Sequence, residues 1–113
     1  MSATFKLAIT SIIPQTNPQR HYFLGDLDDC DEPPKVEPEE WLVETRPRHY
    51  HVFNYSRNLD ILQLLGELIA RKADTGFIMT TKKHGFAMLQ PHGKILQRGV
   101  LPENKIWLCK YEP

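Results

Sequence analysis

What the chain lacks narrows its function before any motif is considered. Its 113 residues include only two cysteines, Cys30 and Cys109, too few and too far apart for a zinc knuckle or a disulfide framework. They read as free thiols of a reducing compartment, which makes the cytoplasm the expected location. No run approaches the roughly 18 apolar residues that cross a bilayer, so no contact with a membrane is expected. The stretch "LAITSII" near the amino terminus is too short and too polar for a secretory signal. The six glycines are scattered and build no phosphate loop, and neither Ser11 nor Ser56 sits in a nucleophile elbow. Without a catalytic set, the sequence points away from an enzyme and calls for no cofactor or metal ion. The formal net charge is zero, which argues against a protein made for non-specific attachment to DNA.

The zero conceals an uneven distribution. Asp26, Asp28, Asp29, Asp31, Glu32, Glu37, Glu39 and Glu40 face a single cation, Lys35, within one short segment that also holds three prolines. Self-repulsion and proline make 26–40 an acidic loop or arm within a single domain spanning 1–113. Asp26, Asp28 and Asp31 are hard oxygen ligands, but their spacing departs from the EF-hand and the turn glycine is missing. From Trp41 onward eleven Lys/Arg stand against six carboxylates, so this part is moderately basic. The acidic arm could therefore fold over the basic face as an internal polyanion mimic.

Hydrophobic periodicity gives an α+β fold, with one amphipathic helix packed on a mostly antiparallel sheet, for which strong curvature or closure into a small barrel is one option. "TFKLAITSII" and "HYFLG" read as strands separated by the loop "PQTNPQ". "WLVE" and "HYHVFNY" read as a hairpin turned by "TRPR". Residues 59–73 read as the helix, capped by Ser56 or Asn58 and ended by Gly76. Its polar residues form one narrow stripe, and Leu59, Ile61, Leu62, Leu64, Leu65, Leu68 and Ile69 give it more apolar surface than one sheet needs. The excess fits a helix laid in a curved sheet or covered by the amino-terminal arm; the sharper alternative is that part of it forms a homodimer or partner interface. "GFIMTT", "FAMLQ", "KILQRGV" and "IWLCKY" then read as a four-stranded meander, with Lys82 and Lys83 in its first turn.

The stretch "RPRHYHVFNYSRN" concentrates the chemistry. As a strand it places His49, His51, Phe53 and Tyr55 on one face, and Arg48, Tyr50, Val52 and Asn54 on the other. A basic, aromatic surface of Arg46, Arg48, His49, Tyr50, His51, Tyr55 and Arg57, extended by Lys82 and Lys83, suits single-stranded nucleic acid. Two imidazoles at i and i+2 can also reach one metal ion. In this respect "HYH" resembles the metal-binding motif of the HUH endonucleases, and that resemblance implies metal-dependent DNA nicking. It covers three residues, and helix 59–73 lacks the nucleophilic tyrosine which that family carries on the helix after its histidine strand.

A small, neutral domain with an over-apolar helix, an acidic arm and no catalytic set is best read as a non-enzymatic accessory or regulatory protein. Its expected partner is another protein. Nucleic acid is the alternative, and HUH-type nicking a more distant one.

Overall fold

A computed structural model describes residues 9–90 and 92–101. Four strands form its main sheet, and the longest lies inside it. β4 (His49–Leu59) is flanked by β2 (His21–Leu27) on one side and β3 (Trp41–Arg46) on the other, and β6 (Lys94–Gln97) pairs with β3. All these pairings are antiparallel. A second ladder joins β1 (Ile9–Thr10) to β5 (Met88–Leu89). The helices α1 (Ile61–Ala70) and α2 (Thr75–His84) complete an α+β fold. Among the described residues β2 and β6 are the opposite edges of the main sheet, and the strong curvature that the sequence left as an option finds no support in it.

Register explains the core. Cross-strand partners share a face of a sheet, so Leu24, Phe53 and Trp41 form one row and Asp26, His51 and Val43 the next row on that face. The opposite face carries the row Gly25, Val52 and Leu42. Both faces are buried along the middle of β4, where 50–55 are all inaccessible. The alternation of "HYHVFNY" therefore separates two cores rather than a core from a solvent face. Gly25 has a packing role here: a Cβ at this position would meet the Phe23 ring at 3.0 Å, so the absent side chain leaves room for that ring.

The helices differ most from the sequence reading. β4 runs on through Leu59, so Ser56 and Asn58 are strand residues and the cap falls to Asp60. Asp60 and Gln63 form a capping box, with Gln63 N–H donating to Asp60 Oδ1 (2.8 Å) and Asp60 N–H to Gln63 Oε1 (2.9 Å). α1 stops at Ala70 because Lys72 takes a left-handed conformation, φ 58°. Around it Ala73 N–H donates to Leu68 O and Lys72 N–H to Ile69 O, a Schellman closure without glycine. Gly76 does not end this helix; it lies in the first turn of α2. "GFIMTT" is helical rather than extended because Asp74 caps it, accepting from Phe77 N–H (2.9 Å), and Gly85 closes it at φ 79°. Lys82 and Lys83 thus lie in the last turn of a helix, where cations favour its dipole, and not in a hairpin turn. Of the expected meander, "FAMLQ" supplies β5 and "KILQRGV" supplies β6; "IWLCKY" lies outside the described residues.

The acidic segment is less detached than its composition suggests. Asp26 belongs to β2, Cys30 and Val36 pack on the core, and Glu40 is fully buried. Asp29, Asp31, Glu32 and Glu37 remain exposed. Glu40 receives four hydrogen bonds: two from Arg71 (3.0 and 2.7 Å), one from Asn54 Nδ2 (2.9 Å) and one from Glu37 N–H (3.1 Å). The Arg71 guanidinium also lies 4.2 Å from the centre of the Phe23 ring and contacts Glu67, which is paired with Arg57.

Three predictions concern this framework. Removing one partner of a buried ion pair strands the other, so Glu40→Ala should cost about 3–5 kcal/mol in urea unfolding. Burial raises the Glu40 pKa, but its hydrogen bonds to Arg71, Asn54 and Glu37 outweigh that and hold it below the ordinary 4.5. The stabilisation is therefore complete above about pH 4.5 and is lost as pH falls through the lower folded value. The gap in stability between wild type and Glu40→Gln should narrow from about pH 7 to about pH 3; a constant gap would count against this account. At the end of α1, Lys72→Gly removes a side chain from a left-handed position, and should raise stability by about 1 kcal/mol.

Candidate functional site

The ends of β2 and β4 and the junction between α1 and α2 meet at a group of carboxylates and imidazoles. β2 and β4 set Asp26 directly opposite His51. Asp74 joins them because its backbone N–H donates to the Asp26 carbonyl (2.8 Å), fixing the start of α2 beside β2. Asp28, just past β2, accepts a hydrogen bond from His49 Nδ1 (2.7 Å). One carboxylate oxygen from each of Asp26, Asp28 and Asp74 lies within 4.8 Å of the other two.

Electrostatics at this group are uneven. Burial, reinforced by the Asp28 and Asp74 carboxylates, pushes the Asp26 carboxyl up to about 7. Burial acts on Asp28 in the same direction, but the His49 hydrogen bond and charge prevail and hold it below the ordinary range. The two carboxyls titrate as a pair, the proton held more readily on the Asp26 side. Burial, then the charge of His92, brings the His51 imidazole down to about 4, so it is neutral at physiological pH. Its Nδ1 is buried without a hydrogen-bond partner among the described residues.

The structure disperses the basic, aromatic surface read from the sequence. Tyr50, His51 and Tyr55 are buried and so cannot stack on bases. Arg57 makes a two-pronged pair with Glu67, Nη1 to Oε1 at 2.6 Å and Nη2 to Oε2 at 2.5 Å. Arg46 and Arg48 are exposed at the β3–β4 turn, where Arg48 pairs with Asp31 at 3.2 Å. Lys82 and Lys83 are exposed at the end of α2. His49 and His51 share a face, but His49 is bound to Asp28, and α1 carries no tyrosine. The acidic residues also separate: Asp26 and Asp28 join the carboxylate group and Glu40 joins the buried pair, leaving the others along the loop.

Two features were hidden from sequence reasoning. Asp74 reads as the last member of a polar helical stripe, and only the early end of α1 turns it toward Asp26. Its own cap-and-glycine signal, Asp74 to Gly85, was the available clue. The second feature is a cleft of about 290 Å³ lined by Leu27, Pro34, Val36, Val52, Glu40 and Arg71, among others. Glu40 and Arg71 within it are engaged with each other.

α1 keeps the apolar surplus expected of it. Leu64 and Leu68 are fully buried, whereas Leu62 is 76% and Ile69 63% exposed. Leu62, Gly66, Ile69 and Ala70 lie at i, i+4, i+7 and i+8, one side of the helix, and a Cβ on Gly66 would touch nothing within 4 Å. On α2, Met79 is 66% exposed. No described helix is long and apolar enough to cross a membrane. Comparison with protein-family models, curated proteins and solved structures returns no match.

Proposed function

We propose that this protein is a non-enzymatic accessory or regulatory domain that acts by binding another protein through the exposed side of α1. The exposure of Leu62 and Ile69 carries the reading: two large apolar side chains on one side of a helix that is anchored to the core through Leu64 and Leu68. A partner that buries them gains the usual transfer free energy without unpairing any ion pair. Charge defines its chemistry further. Lys72 lies just past the C-cap of α1, and Lys82 and Lys83 lie within one turn of the exposed Met79. An apolar ridge flanked by carboxylates complements this surface. The exposed acidic residues of the 28–39 loop add steering for a partner with a basic patch elsewhere. Single-stranded nucleic acid is a poorer fit, because the aromatic side chains it would need are in the core.

Selection of displayed peptides on the folded full chain tests this. The selected sequences should be amphipathic and acidic. Leu62→Asp and Ile69→Asp should each weaken them by about tenfold, or about 1.4 kcal/mol, with the circular dichroism unchanged. Peptides indifferent to both substitutions would overturn the assignment of the surface. A stable dimer dissociated by Leu62→Asp would make the partner a second copy of this chain. Saturable, salt-sensitive binding of a labelled single-stranded oligonucleotide would restore the nucleic-acid reading.

A further inference from the structure

Ser11 and His21 carry an inference that is independent of the protein-binding surface. Both are buried, at the corner where the β1–β5 ladder meets the main sheet. Every polar group of Ser11 is committed there. Its N–H donates to Ala87 O (2.9 Å), its carbonyl accepts from Tyr22 N–H (2.7 Å), and its Oγ accepts from Ala87 N–H (2.9 Å). The same Oγ lies 2.8 Å from His21 Nδ1. Ser11 follows β1, Ala87 precedes β5 and His21 begins β2, so one residue fastens three strands.

These contacts fix the tautomer of His21. Ala87 N–H can only donate, so the Ser11 hydroxyl proton has one acceptor among the described residues, the Nδ1 lone pair. The imidazole is therefore neutral, with its proton on Nε2. A second proton must go to Nδ1, the place that the hydroxyl proton occupies. Ser11 Oγ then faces two donors, and its own proton is left buried without an acceptor. Charging the ring thus breaks the latch. The surroundings oppose the charge as well. Burial, and then Arg20 from the preceding loop, hold the imidazole below its ordinary 6.5, with Asp60 at the α1 cap pulling the other way. Arg20 is itself held by Asn58, Nε to Oδ1 at 2.6 Å.

We propose that protonation of His21 unlatches the β1–β5 ladder from the main sheet, an opening that stays local to this corner. Two features confine it. The ladder has only two residue pairs, Ile9 with Leu89 and Thr10 with Met88. The β2–β4 pairing is irregular between His21 and Phe23, so His21 stands apart from the regular register that runs from Phe23 to Leu27. A short ladder beyond such an irregularity opens at lower cost than the core. Opening exposes Ile9, Ala87 and Leu89, all buried in the closed form. β5 closely follows α2, so it also loosens the end of the helix that carries Lys82 and Lys83. Above pH 6.5 the ring is neutral in both forms and the latch is at full strength. Below it the open form takes up the proton first. Opening then becomes more frequent by up to about tenfold per pH unit, until the lower closed value is reached.

Nuclear magnetic resonance of the full chain from about pH 7.5 to about pH 4.5 tests this. At the upper limit the long-range ring spectrum should show the Nε2–H tautomer of His21. Below about pH 6.5 the amides of Ser11, Tyr22 and Ala87 should lose protection against hydrogen exchange, corrected for the intrinsic rate, by about tenfold or more, while Val52 and Phe53 stay protected. His21→Asn keeps an acceptor oxygen near the position of Nδ1 but does not titrate, so it should remove this pH dependence. Its folding is checked by circular dichroism, and the wild-type spectra decide without it. An Nδ1–H tautomer at the upper pH or unchanged protection of the three amides would overturn the proposal. So would a loss that persists in folded His21→Asn, or one spread evenly over β4.

Discussion

The fold depends on one buried carboxylate. Glu40 ends an acidic segment that would otherwise be repelled from any core, and it is accepted there because four donors converge on it. Arg71 supplies two of them from the end of α1, and Asn54 a third from β4. The same guanidinium covers the Phe23 ring. One charge pair therefore ties the loop, the sheet and the helix together. A buried pair is not cheaper than apolar packing of the same volume. What it adds is direction, because the four donors reach Glu40 from the loop, the sheet and the end of α1 at once.

β4 shows how an accurate reading of periodicity can mislead about function. The alternation of His49, His51, Phe53 and Tyr55 against Tyr50, Val52 and Asn54 is real. An alternating strand with polar and aromatic residues resembles a half-exposed surface, and the arginines around it suggest a polyanion partner. β4 is instead an interior strand with a core on each side, and its aromatic residues provide that packing. Sequence periodicity separates the two faces of a strand; it does not say which is wet. Glu67 shows the same limit, since nothing local announces that it will pair with Arg57 from the preceding strand.

The α+β class, the β3–β4 hairpin and the existence of a helix after β4 were legible, because each rests on local pattern. The boundaries of that helix were not. Ser56 and Asn58 are good caps by composition, but β4 continues through them in pairing with β2. The helical end depended on Lys72 entering a left-handed turn that lysine does not advertise. That one turn changes the meaning of everything after it. Asp74 stops being the end of one polar stripe and becomes the cap of a second helix, while "GFIMTT", rich in β-formers, is helical between Asp74 and Gly85.

The four residues from Arg71 to Asp74 concentrate these constraints. Arg71 holds the end of α1 to Glu40, Lys72 sets the turn, Ala73 is buried, and Asp74 bonds to Asp26 while starting α2. A joint this short has few soft dihedrals left, so its two helices cannot reorient freely about it. The carboxylate group lies at one end of this joint and the buried ion pair at the other. Asp74 therefore sits on the same joint that orients α1 and its exposed Leu62 and Ile69. The physical link between the two surfaces is short, covalent and hydrogen-bonded, and needs no longer pathway through the core.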